Sequence, residues 1–373
     1  THHASSAASD VYKRQPNMSG SNKRAFLDQK FGNRNYDYAG NSTVDLKVWE
    51  GARKAIVVNS NPSLVRKASE RADLGPVFLT STTPLVDFIR AIRVHQWVKN
   101  FLLFVPLITA HQIMNLNLAL SALLAFLSFS LCASGVYVLN DMVDVEADRL
   151  HPKKRRRPFA AGRFVPQHGL LFVPTLWVGS ACIASFLPFQ FGVTLFLYFL
   201  LTTLYSFVVK RLVLFDIIFL ASLYTIRILA GGTATGVPVS EWLLAFSLFF
   251  FLSLALVKRF SELAELRKSK VDKAHGRGYL PVDLELISSM GAASGYISIL
   301  VLALYIHNEK SAELYRYPEL IWLLCPLILY WISRVWLLAH RGEMHEDPIV
   351  FAIKDKVSYF TGIIALAIMG FAI

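Results

Sequence analysis

The sequence predicts an all-α integral membrane protein with nine transmembrane helices, preceded by a small truncated α/β N-terminal segment. Three observations carry that prediction. The 373 residues are 54% hydrophobic and 13% aromatic but only 17% charged, which is not the mix of ordinary soluble domains. No Asp, Glu, Lys or Arg occurs between Lys99 and Asp141, or from Phe164 to Val209, and each stretch is long enough for two spanning helices of about 20 residues. The basic residues also fall in alternate loops. Arg149 to Arg163 has seven, Lys210 and Arg211 add two, Lys258 to Arg277 has seven and Arg334 to Lys356 has four, twenty against the two of the opposite loops, Lys310 and Arg316.

That asymmetry accounts for the net charge of +12 without a nucleic-acid partner. It assigns the long charged loops and the N-terminal segment to the cytoplasm, as expected of a multi-pass protein of the inner (plasma) membrane. Cys132, Cys182 and Cys325 lie in apolar runs without CxxC or Cys/His spacing, so they read as packing residues rather than as disulfides or zinc ligands.

Taken in order, residues 1–18 begin without Met and carry no apolar h-region, and read as a non-native or disordered leader. Residues 19–80 have soluble character. Tyr36 to Ala39, the turn residues Gly40 to Ser42, Val44 to Ala52 and Ala55 to Val58 read as strand, turn, helix and strand. Gly40, Asn41 and Asp45 resemble the last motif of the haloacid-dehalogenase phosphatases, GDxxxD, with Asn41 in place of its first acid. No DxDx(T/V) nucleophile loop precedes it, so the segment is expected to be the C-terminal stub of such a domain without phosphatase chemistry of its own.

From residue 84 to 373 the chain is expected to be membrane domain. A hairpin between Lys99 and Asp141 is broken at His111 to Asn117, and a second pair lies within Phe164 to Val209, interrupted around Leu187 to Gly192. Single helices then follow at Asp216 to Ala230, Trp242 to Val257, Leu284 to Ile306, Leu320 to Trp336 and Val357 to the end.

The chemistry concentrates where the second helix ends. Asn140, Asp141, Asp144 and Asp148 precede Arg149, His151, Pro152, Lys153, Lys154, Arg155, Arg156, Arg157 and Pro158. Spacings of three and four put the three acids on one helical face. Like charges there repel unless a cation neutralises them, and hard oxygens at this density suit Mg²⁺, which keeps waters and bridges to substrate phosphates. The basic cluster suits the rest of a polyanion. A basic run after a membrane helix commonly only sets topology. Acids at a membrane boundary do not serve that purpose and mark a site.

At these residues the chain resembles the UbiA superfamily of intramembrane transferases, whose first motif is NDxxDxxxD; Asn140 to Gly162 carries it with its basic extension. The resemblance implies nine helices around a central cavity, and Mg²⁺ and a diphosphate held by motifs on opposite cytoplasmic loops. It further implies a lipid tail that leaves sideways into the bilayer. Where aromatic prenyltransferases of the superfamily carry a second Asp-rich motif, this chain reads Lys258, Arg259, Phe260, Ser261, Glu262, Leu263, Ala264, Glu265. With RVHQWVKN at Arg93 to Asn100 and LYTIRILAGG at Leu223 to Gly232, it is similar to the branch that moves phosphoribose to polyprenyl phosphate. The extra phosphate of phosphoribosyl diphosphate asks for more cations, in line with Lys258 and Arg259. Prenyl transfer to an aromatic acceptor such as 4-hydroxybenzoate is the alternative.

The resemblance implies Asp141, Asp144 and Asp148 as catalytic metal ligands. Asn140, Arg149, Lys154, Arg155, Arg157, Lys210, Lys258, Arg259 and Glu262 become substrate-binding candidates. Arg227 either faces the cavity or snorkels to the outer interface. Lys210 and Asp216 sit at the cytoplasmic mouth, in substrate binding or as plain helix boundaries. HEDPIVFAIKD at His345 to Asp355 resembles the last cytoplasmic loop of the family, without assigned chemistry. A cation transporter is the rival from another class, but carriers place their sites at the midplane rather than at a helix end.

Overall fold

The computed structural model describes residues 18–58, 62–78, 84–150, 154–268, 278–308, 315–344 and 347–373. The expected leader up to residue 17 lies outside the described residues, as do His151, Pro152, Lys153, Lys310, His345 and Glu346. The chain divides into two compact units between Asp87 and Phe88.

The first unit is a parallel three-stranded sheet in the order β1–β2–β3 (Asp37–Gly40, Lys54–Val58, Leu74–Phe78). Helices α1 (Gly20–Phe31), α2 (Leu46–Trp49) and α3 (Pro62–Ser69) accompany it. Trp49, Ala55, Val57, Leu64 and Ala68 are its buried core. Within the expected segment 19–80 the sequence pattern gives no strand after Val58, because Gly75 and Pro76 disguise β3; Pro is tolerated because β3 is an edge strand. The Asp45 carboxylate accepts the Asn41 and Ser42 backbone N–H groups and the Ser42 hydroxyl, each at 2.9 Å. It thereby serves the turn that follows β1.

The second unit is helical. After α4 (Pro84–Ala91) the chain runs through a 3-10 segment, Val94–Phe104, into the short α5 (Val105–Thr109). The long helices are α6 (Leu116–Val143), α8 (Pro166–Ala184), α9 (Phe189–Phe207), α10 (Phe215–Thr235), α11 (Glu241–Lys268) and α12 (Leu284–Ile306). Between and after them come α7 (Val145–Leu150), α13 (Pro318–Ile321), α14 (Leu324–Arg341), α15 (Pro348–Lys354) and α16 (Lys356–Ala372).

Among the described residues seven stretches, not nine, are long and apolar enough to cross a membrane, and α16 is shorter at 17 residues. Where the first helix is expected, between Lys99 and His111, the chain completes the 3-10 segment and then forms only the five-residue α5. The polar residues of the 3-10 segment are drawn sideways onto α6: Trp97 donates to Ser134 Oγ and Asn100 to Ser130 Oγ, both at 2.9 Å.

Two helices run further than their apolar pattern indicates. α10 continues through Gly231 and Gly232 to Thr235 and stops at Gly236 in the left-handed conformation, a common helix terminator. At Gly231 a side chain would strike the backbone carbonyl of Leu103, so the glycine permits the close approach of α10 to the 3-10 segment. α11 continues unbroken from Val257 through Lys268, because Lys, Arg, Glu, Leu and Ala are all good helix formers. Lys258 to Glu262 therefore lie within a helix, not in a loop.

α10 is central. Ile217, Ala221, Tyr224 and Ile228 pack in one cluster with Phe251, Leu254 and Trp331. Leu223, Ile226, Ala230 and Ala234 pack in another with Phe129 and Tyr198.

Candidate active site

α6 brings the acids to the membrane boundary. Its 28 residues extend about 42 Å at 1.5 Å per residue, more than the hydrocarbon core of about 30 Å, so an upright α6 overshoots that core. Close packing fixes its register against α8: Ser128 Oγ donates to Ser180 O at 2.9 Å and Ser180 Oγ to Ser128 O at 2.7 Å. The helix then breaks at Asp144, which takes φ −89° and ψ 9°, before α7 begins.

That break interrupts the single helical face on which the sequence spacing puts the three acids. Arg157 Nη1 donates to Asp141 Oδ1 at 3.0 Å and to Asp148 Oδ2 at 2.6 Å, so these two carboxylates converge on one nitrogen. Asp144 goes elsewhere, accepting from Asn140 Nδ2 at 3.0 Å and pairing with Lys210 Nζ at 3.3 Å. Arg93, in the left-handed conformation at the start of the 3-10 segment, also binds Asp141. Three cations, Arg93, Arg157 and Lys210, thus meet three carboxylates, and the protein neutralises its own acidic face. Asp141 and Asp148 are each 2% exposed, a burial tolerable only with such partners.

Among the described residues no group of three His, Cys, Asp or Glu side chains is placed to hold a metal. A pair of carboxylates on one cationic point nonetheless fits Mg²⁺, which takes one or two carboxylates and completes its shell with waters and substrate phosphates. Asp141 and Asp148 are the residues that would hold such an ion.

The remaining basic candidates separate clearly. Among the described residues of the run after α7, Arg157 turns into the acids, whereas Lys154 and Arg155 lie exposed on a 3-10 turn. Arg149 Nε donates to the Ala160 carbonyl at 3.2 Å and braces the loop.

A second cluster lies around α11. Lys258 Nζ is 3.3 Å and Lys99 Nζ 2.8 Å from the same oxygen of Asp347, Oδ2, and the Tyr224 hydroxyl donates to that oxygen at 3.4 Å. The other oxygen accepts the Ile349 N–H at 3.2 Å and caps α15. Burial works to raise the pKa of Asp347, but the two ammoniums outweigh it and hold the carboxyl well below the usual carboxylate range. Two cations share one acid here, leaving a net positive charge.

Arg259 differs from its neighbour. It is 3% exposed and bound to Asp216 and Glu262, while Asp216, fully buried, also accepts the Tyr279 hydroxyl at 2.6 Å. Arg259, Asp216 and Glu262 form an internal brace between α10 and α11. Asp216 thus has its partners within this brace, and Lys210 is drawn to Asp144.

Arg227 does not snorkel. It is 4% exposed; Nε donates to Asn100 Oδ1 at 2.9 Å, Nη2 to the Tyr198 hydroxyl at 3.0 Å and Nη1 to the Leu223 carbonyl. Its guanidinium lies 5.0 to 5.6 Å from the ring centroids of Tyr198, Tyr224 and Phe129, within cation–π range.

As sequence blocks, RVHQWVKN and HEDPIVFAIKD do not disclose the separate contacts of Arg93, Lys99, Asn100 and Asp347. The 3-10 segment and the residue before it supply the first three: Arg93 to the acids, Lys99 to Asp347 and Asn100 to Arg227. Lys and Asn in an otherwise apolar run were the available signal.

Residues 101–354 match the UbiA prenyltransferase family. The protein y4nM of Sinorhizobium fredii is 37% identical over 350 residues, 93% of this chain and 67% of that protein. The decaprenyl-phosphate phosphoribosyltransferase of Mycolicibacterium smegmatis is 30% identical over 276 residues, 72% of this chain and 86% of the relative. A UbiA homologue from Archaeoglobus fulgidus, solved bound to GPP and Mg²⁺, aligns with a TM-score of 0.57 at 16% identity over 76% of this chain and 99% of its own; that likeness is one of fold. The family match begins at residue 101, so the phosphatase-like resemblance of Gly40, Asn41 and Asp45 gains nothing from it.

Proposed function

We propose, because the chain belongs to the UbiA prenyltransferase family, that this membrane transferase moves 5-phosphoribose from phosphoribosyl diphosphate to a polyprenyl phosphate, at a site facing the cytoplasm. The observation that carries the reading is the pair of lysines on one carboxylate. Lys99 and Lys258 share Asp347 and leave positive charge where a second acidic metal motif would leave negative. A donor with a phosphate beyond its diphosphate suits that surplus. The 30% identity to a decaprenyl-phosphate phosphoribosyltransferase supports the same reading.

Asp141 and Asp148 are the residues that would hold Mg²⁺, with Asp144 alongside, and the bound ion supplies charge neutralisation for a leaving diphosphate. Arg157 and Arg93 flank these acids and are placed to contact the phosphates that the acids repel. The acceptor phosphate is ionised at pH 7 and needs no general base. Its oxygen bonds to ribose C1 on the face opposite the departing diphosphate, which leaves with the bonding electron pair, so the configuration at C1 inverts. The twenty-to-two division of basic residues supports the cytoplasmic orientation.

A second reading, transfer of a prenyl group to an aromatic acceptor, draws on the neighbour of like fold that binds GPP and Mg²⁺. A product assay separates the two. Purified protein in detergent with Mg²⁺ receives phosphoribosyl diphosphate with polyprenyl phosphate, and in parallel a prenyl diphosphate with 4-hydroxybenzoate. Phosphoribosylated lipid in the first mixture is the expected result; prenylated aromatic product in the second alone overturns it.

A further inference from the structure

Asp347 stands outside the acidic motif, yet its side chain is only 12% exposed and does two different things with its two oxygens. Oδ1 caps α15 through the Ile349 N–H, which fixes where Oδ2 points. Oδ2 gathers Lys99 Nζ, Lys258 Nζ and the Tyr224 hydroxyl within 3.4 Å. The three donors come from the 3-10 segment, α11 and α10, elements that no local sequence relation brings together. Two ammoniums this close, one of them only 10% exposed, repel in a poorly solvated setting unless an acid lies between them.

We propose that Asp347 is a positioning residue that holds Lys99 and Lys258 together as one seat for a phosphate group of the donor. The assignment of that group to a phosphoribosyl donor rests on the reading above; the seat itself does not. A bland role as helix cap is the competitor, and Asn separates the two. Asn caps a helix about as well as Asp but cannot hold two ammoniums by charge.

The test is binding of inorganic diphosphate with Mg²⁺, by titration calorimetry on the full chain in detergent, beside steady-state kinetics. Asp347→Asn should weaken diphosphate about tenfold, the scale of one charge-assisted contact. Donor KM should rise in parallel and kcat should change much less. In a chain already carrying Lys99→Gln and Lys258→Gln, Asp347→Asn should add no further loss, because the carboxylate acts through those lysines. Unchanged diphosphate affinity in Asp347→Asn, tighter binding, or an equal effect in the Lys-substituted background would each overturn the proposal. So would a wild-type chain that does not bind diphosphate. Weakened diphosphate binding in Asp347→Asn together with no phosphoribosyl transfer by the wild type would keep the seat and discard the phosphoribosyl donor.

Discussion

Arg227 and Asn100, 127 positions apart, meet through a single hydrogen bond of 2.9 Å from Nε to Oδ1 inside the helical unit. The partners of this arginine are an amide oxygen, a phenol and a carbonyl with three aromatic rings around them, rather than a carboxylate. Each nitrogen of the planar fork has its own direction, which Lys cannot reproduce.

Asn100→Leu should therefore destabilise the protein by about 1.5 to 3 kcal/mol, the value of a hydrogen bond to a charged group. Arg227→Lys should not restore the wild-type melting temperature. Thermal unfolding in detergent reads both, and a variant Asn100→Leu with wild-type Tm would show that the contact contributes nothing.

The acids divide by partner. Because Asp141 and Asp148 converge on one cation and Asp144 faces Lys210, Asp141→Asn and Asp148→Asn should each lower turnover by more than about 100-fold, a loss of about 2.7 kcal/mol or more in transition-state stabilisation. Asp144→Asn should lose less. Turnover at saturating donor and Mg²⁺ decides it; equal, mild effects at all three positions would count against the paired-carboxylate site.

Lys258 and Arg259 are adjacent but should fail in different ways. Lys258→Gln removes a cation from the Asp347 cluster and should raise donor KM about tenfold with little change in Tm. Arg259→Gln strands the fully buried Asp216, and removing one partner of a buried pair costs about 3 to 5 kcal/mol. Its signature is a lower Tm in the absence of any substrate.

The pH dependence of stability follows from Asp347, whose pKa is depressed in the folded protein. A depressed carboxylate contributes its stabilisation above the unfolded value, about 3.9 for Asp, and loses it as pH falls from there toward the folded value. The Tm difference between wild type and Asp347→Asn should be constant above about pH 5 and shrink progressively below about pH 4. A difference that instead widens on acidification would contradict the Lys99 and Lys258 pairing.

Membrane embedding, the acidic helix end and its basic extension could be read from the sequence alone, because each depends on composition or on short spacings. Apolar runs are counted directly, and the separation of Asp141 from Asp144 and Asp148 is local. The expected nine helices are not all found as long apolar helices among the described residues, since an apolar run does not reveal that Val94–Phe104 is a 3-10 segment tied sideways by Trp97 and Asn100. Which charges meet was decided only by tertiary packing. Arg155 and Arg157 are two residues apart and chemically alike, yet Arg157 alone enters the acids. Lys258 and Arg259 are neighbours, yet one joins Lys99 on Asp347 and the other braces Asp216. Consecutive residues on a helix point about 100° apart, so the elements each side chain faces, and hence its partner, are set by how the helices pack and not by the order of residues along the chain.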